Sequence, residues 1–207
     1  MPSVTEVIDY MVEPELLNWM LRTGAAKRKA IQDEALRVGT VVDTLIQADL
    51  KGQEYTPNPD DKQVYNSMCA WEKAKEKYPW LKEGKAQIQK ELICGEIVGH
   101  PDLIIELPDR WGVIDFKSAS SIRPKYWTQV CKYLQMEASL SGRELGFVGV
   151  LRLDKTTGEP EYIEISDAEY IAYEVRVFDA YYTAYQHNFK NREMIRQQLE
   201  REVLNVS

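Results

Sequence analysis

Residues 99–120, GHPDLIIELPDRWGVIDFKSAS, constrain the fold more than any other stretch of the chain. Two short apolar runs flank PDRWG, a turn sequence, so the segment reads as a β-hairpin. The hairpin is interrupted by Asp102, Asp115 and Lys117, where a buried strand would carry Val, Ile or Leu. Side chains alternate across a strand, so Asp115 and Lys117 share one face while Ile114 and Phe116 take the other.

The surrounding pattern sets this hairpin in an α/β domain. Residues 5–22 mix apolar and acidic positions as a helix does, and apolar residues at 31, 35, 38, 42, 45 and 46 follow helical spacing. Gly52 and TPNPDD (56–61) break the chain before a helix over 62–78. From about residue 86 the period shortens. AQIQKELI reads as a first strand, CGE as a turn, IVGHPDLIIEL as a second strand and GVIDFKS as a third. After RPK, YWTQVCKYLQMEASLSG reads as a helix ended by Gly142. LGFVGVLRL and EYIEI are two further strands, and Ser166 with Glu169 forms a capping box that opens a helix over 167–202. The expected organisation is one domain over 1–207: a mainly helical part (1–80), a sheet core with the site (86–165) and a long C-terminal helix (166–207).

Composition narrows the class. With 207 residues, 44% hydrophobic and 29% charged, and no long apolar run, the chain reads as a soluble globular protein without a membrane span. Its N-terminus carries acids where a secretory leader would carry a basic region, which points to a cytoplasmic location. Cys69, Cys94 and Cys131 are too few and too widely spaced for a disulfide framework or a CxxC-type zinc site, and read as reduced thiols. A net charge of −7 excludes a surface basic all over but leaves room for a local basic groove.

An Asp–Lys pair on an open sheet face would be ordinary and worth little. Asp102, on the strand before, changes its meaning, because the hairpin can bring both carboxylates to one end of the sheet. Two converging carboxylates raise each other's pKa unless a cation neutralises them, and a hard divalent ion, Mg²⁺ or Mn²⁺, suits oxygen ligands. An ammonium beside such a centre can orient water and stabilise charge on a phosphoryl oxygen. The combination is equipment for phosphodiester hydrolysis.

Pro101-Asp102 followed by Asp115-Phe116-Lys117 resembles the signature of the PD-(D/E)xK nuclease superfamily. Gln129-x-x-x-Tyr133 resembles the added motif of its RecB-like exonuclease branch, and the order of pieces over roughly residues 2–150 also resembles single-domain viral members. The resemblance implies a restriction-endonuclease-like fold, a central mixed β-sheet flanked by helices. It implies a Mg²⁺- or Mn²⁺-dependent deoxyribonuclease, most often an exonuclease on DNA ends or single strands, with a single-strand endonuclease or a silent nucleic-acid-binding module as alternatives. One or two ions would be held by Asp102, Asp115 and the Phe116 backbone carbonyl. Lys117 would be catalytic with the two acids, and Gln129 and Tyr133 would support the substrate strand. Four cysteines hold an iron–sulfur cluster in a related branch; with three, no cluster is expected here.

One position departs from the family pattern: GTVVDTLIQ carries Asp43 where RecB-like enzymes usually have a metal-binding His. A carboxylate among Val41, Val42, Leu45 and Ile46 is costly without a partner, so Asp43 is a candidate ligand, with a weakened second metal site or a surface salt bridge as alternatives. Glu91 is a candidate additional metal carboxylate or an edge-strand charge. Arg123, Lys125 and Lys132 are candidates to border a DNA cleft, and Tyr126 and Trp127 to stack bases. DNA is thus the expected partner, with no membrane and with self-association open.

Overall fold

The computed structural model describes residues 1–10 and 14–204. Its elements in chain order are α1 (Val4–Asp9), α2 (Pro14–Arg22), α3 (Ala25–Leu50), α4 (Lys62–Lys77), α5 (Trp80–Glu83), β1 (Lys85–Ile88), β2 (Leu92–Cys94), β3 (Ile97–Gly99), β4 (Leu103–Glu106), β5 (Trp111–Lys117), α6 (Pro124–Ser141), β6 (Phe147–Leu153), β7 (Pro160–Ile165) and α7 (Ala168–Leu204). The helical reading of 5–22 resolves into α1 and α2, and its residues 11–13 lie outside the described residues.

Five strands form a central sheet in the order β1-β4-β5-β6-β7. Within this sheet β5 and β6 run parallel, and α6 supplies the crossover that a parallel pair requires. The remaining pairs are antiparallel, so the sheet is mixed.

Helices cover both faces. On one, α1, α6 and α7 bury Val7, Val130, Leu134 and Phe178 against Ile104, Val113, Val148 and Val150. On the other, α3 and α4 bury Val42, Ile46, Met68 and Trp71 against Leu103, Ile105, Ile114 and Leu151. Neighbouring residues of β4 and β5 thus enter opposite cores, as two-residue periodicity demands. The buried stripe of α3 is Val38, Val42 and Ile46, whereas Ile31 in its first half is 45% exposed. Pro124 opens α6 and Gly142, at φ 70°, closes it in the left-handed region where glycine is unstrained.

Two expected strands are each broken in two. AQIQKELI breaks at Gln89, whose φ of 50° is left-handed, and IVGHPDLIIEL breaks at His100-Pro101-Asp102, where Pro101 has no N–H for a ladder. β1 therefore pairs with β4 in the main sheet, while β2 and β3 form a separate two-stranded ribbon. The cap of α7 also differs: Asp167, not Ser166, accepts from the Tyr170 amide at 2.7 Å. Among the described residues no helix is long and apolar enough to cross a membrane.

Candidate active site

The hairpin register creates the site. Leu103 pairs with Ile114, so Asp102, one residue before the strand, stands opposite Asp115. Asp102 Oδ2 accepts from the Phe116 amide at 2.7 Å, which fixes one carboxylate against the strand that carries the other. Asp115 and Lys117 project from β5 on the side of α6, while Phe116 turns to the opposite core and meets Trp71 edge-on at 5.4 Å.

Asp115 is 2% exposed. Lys117 Nζ lies 2.7 Å from Asp115 Oδ2, yet off the line of a hydrogen bond, so that buried oxygen has charge beside it and no aligned donor. Burial, with the Asp102 charge, pushes the Asp115 carboxyl up to about 7 despite the opposing pull of Lys117. Burial likewise raises Asp102 against the pull of Lys117 and the Phe116 amide. For Lys117, burial opposes the charged form, but the Asp115 and Asp102 charges outweigh it and raise its pKa. The ammonium also sits 5.2 Å from the centroid of the Tyr126 ring.

Asp43 reaches this group from α3. Its Oδ2 accepts from Gln47 Nε2 at 2.8 Å and its Oδ1 from Gln89 Nε2 at 3.4 Å; the same Gln89 amide donates to Asp102 Oδ1 at 3.0 Å. Burial and then the Asp102 charge raise the Asp43 pKa. Among the described residues no group of three or more His, Cys, Asp or Glu side chains is closed tightly enough to hold an ion. Even so, the donor set fits a hard divalent cation: carboxylates that raise one another's pKa, and one buried carboxylate oxygen without an aligned donor.

From α6, Gln129 and Tyr133 lie one turn apart and are both buried. Gln129 Nε2 donates to Tyr133 Oη at 3.1 Å and to Thr5 Oγ1 of α1 at 3.0 Å. Burial raises the Tyr133 pKa and the Asp115 and Asp102 charges add to it, which places the phenol in the field of the acids. The ring lies over Gly99, where an added Cβ would come within 2.8 Å of it.

Other candidates go elsewhere. Glu91 is exposed before β2 and faces His100 Nε2 at 3.4 Å. Tyr126 is buried in the core under Lys117 and offers no open face for bases, and Trp127 is partly buried against the same core. Lys132 turns to α7, where it meets Asp179 at 3.1 Å and the Phe178 ring. Arg123 and Lys125 do border a groove of about 1280 Å³, with Trp19, Tyr173 and Tyr181 on its walls, although Lys125 is paired with Asp9 at 2.8 Å. None of Asp43, Asp102, Asp115 and Lys117 lines that groove. Sequence reasoning missed Gln89: a polar residue in an alternating run carries no signal, and only its backbone conformation and two acceptors single it out.

No family model matches the chain, and no curated protein matches its sequence. Among solved structures, an alkaline exonuclease from Laribacter hongkongensis superposes with a TM-score of 0.43, and its complex with dAMP with 0.45. Each is 14% identical, over 95% of this chain and 93% of that one.

Proposed function

We propose that the chain is a metal-dependent DNA nuclease of the PD-(D/E)xK superfamily, in its RecB-like branch, acting as one domain on DNA ends or single strands. The observation that carries this reading is the buried Asp115–Lys117 contact with Asp102 fixed opposite by the Phe116 amide. A solvated surface pair would leave neither a carboxyl pushed up to about 7 nor a buried oxygen without an aligned donor.

Asp102, Asp115, the Phe116 backbone carbonyl and, from α3, Asp43 would hold one or two Mg²⁺ or Mn²⁺ ions. A bound ion would supply positive charge to a phosphoryl oxygen and acidify the attacking water. Lys117, held charged by the two acids, stabilises the negative charge that builds on the phosphate and orients water from the side of Asp115. Gln129 and Tyr133, locked to each other and to Thr5, give the α6 wall of the site a fixed shape against which a strand can lie. Arg123, at the start of α6, would meet backbone phosphate, and Lys125 would do so on release from Asp9.

Incubating end-labelled single- and double-stranded DNA with Mg²⁺ or Mn²⁺ tests the reading. Wild type should cleave only with metal, and Lys117→Ala should lose on the order of 10²-fold or more. Metal-independent cleavage, no cleavage of any substrate, or equal rates for the two proteins would refute it, and DNA binding without cleavage would favour a silent binding module.

A further inference from the structure

We infer that Gln89 is a positioning residue of the metal site, the amide that ties Asp43 of α3 to Asp102 of the sheet and so sets the gap across which a divalent cation is held. The inference rests on the nuclease reading. It goes beyond that reading by assigning a task to a residue outside the motifs.

Asp43 and Asp102 come from different layers. Asp43 belongs to a helix packed on the core of Leu103 and Ile114, and Asp102 to the end of the hairpin. Each has one oxygen fixed by its own surroundings: Asp43 Oδ2 by Gln47 at 2.8 Å, Asp102 Oδ2 by the Phe116 amide at 2.7 Å. The other oxygen of each faces Gln89, whose single –NH₂ group carries two N–H bonds, one for each carboxylate, at 3.4 and 3.0 Å. Two acids that repel each other are thereby held at a set spacing by a neutral donor.

The backbone at Gln89 is built for this placement. A φ of 50° is rare for a residue with a long side chain and is held by the surrounding contacts. The segment is pinned on both sides. Ile88 pairs with Leu103 and the Gln89 amide reaches the Asp102 carbonyl at 3.3 Å; on the far side Lys90 Nζ grips both oxygens of Glu137, itself 1% exposed, at 2.9 and 2.8 Å. Such a strap, an amide that bonds both carboxylates, is the kind of outer-shell partner that orients metal ligands.

Calorimetric titration of Mn²⁺ alone into the metal-free full chain tests the assignment, using wild type, Asp115→Asn, Asp43→Ala, Gln89→Met and the Asp43→Ala/Gln89→Met double variant. Met fills the space of Gln without its N–H donors, and metal-free melting temperatures report whether each variant is folded. Gln89→Leu makes the same comparison should the Met variant not fold. We expect Asp115-dependent Mn²⁺ binding that Gln89→Met weakens on the order of 10- to 100-fold. In the Asp43→Ala background the same change should matter within about twofold, because the strap then has nothing to join. Unchanged or tighter binding by Gln89→Met, or an equal loss in the Asp43→Ala background, would overturn the inference while leaving the nuclease reading intact. Failure of wild type to bind Mn²⁺, or binding equal to that of Asp115→Asn, would overturn both.

Discussion

Asp115 is kept out of water beside Asp102 while Lys117 contacts it off the hydrogen-bond line. Its folded pKa of about 7 stands above the usual 3.8. Below pH 3.8 the group is protonated in both states and costs nothing. As pH rises from there to about 7, the unfolded chain releases the proton that the folded chain retains, so the folded state loses ground. The metal-free protein should therefore lose stability across that window, by at most about 1.4 kcal/mol per pH unit from this carboxyl. Asp115→Asn should flatten the slope. Denaturant melts in chelator at a series of pH values check this, and an equal slope in both proteins would contradict the burial cost assigned to Asp115.

At the scale of elements, the loop after Lys117 depends on the turn between β6 and β7. Arg152, which pairs with Lys117 in the parallel register, meets Asp154 at 2.7 Å and reaches the carbonyls of Ala119 and Ser120 at 3.4 Å each. Burial works against the Asp154 carboxylate, but Arg152 and the Thr156 and Thr157 amides overcome it and lower its pKa to about 2. Here the sign is the reverse of that at Asp115. The contribution is present above the usual 3.8 and is lost as pH falls through about 2. Asp154→Ala should cost roughly 2 kcal/mol at neutral pH and less on acidification, as read by denaturant melts at pH 7 and pH 2.5; a cost that does not shrink would show that the turn is held by something else. The strands around this turn were legible because β6 is an apolar run, interrupted by Arg152 near its end and bounded by the DKTTG turn. The hairpin of β4 and β5 was legible for the same reason, and with it the meeting of Asp102 and Asp115. The ribbon of β2 and β3 was not, because Gln89-Lys90-Glu91 interrupts the alternation without any Gly or Pro to mark a bend, and the bend is held by contacts with Asp102 and Glu137 further along the chain. Tyr126 and Lys132 were misplaced for a related reason: both lie on α6, which is covered on more than one side, by the sheet and by α7, so positions that read as open are buried.

For the whole molecule, the site is where the two helical layers meet through the sheet. Asp43 comes from the layer of α3 and α4, Tyr133 from that of α1, α6 and α7, and Asp102 and Asp115 from the hairpin between them. A cation held there binds only the assembled fold, since the unfolded chain has no such convergence, and its binding free energy adds to the stability of the whole. At a free Mn²⁺ concentration one hundred times its Kd the gain should be about 2.7 kcal/mol. For a chain of 207 residues that corresponds to a rise in Tm of about 5–11 °C. A protein with 33 acidic residues and a net charge of −7 also attracts cations diffusely, and this competing effect is separable because salt screens exposed charges far more than buried ones. The site-bound part of the shift should survive in about 0.5 M KCl, where the Debye length falls to roughly 4–5 Å, and should vanish in Asp115→Asn. Equal shifts in both proteins at high salt would mean that the ion stabilises the chain from its surface and that the meeting of the two layers at Asp115 holds no metal.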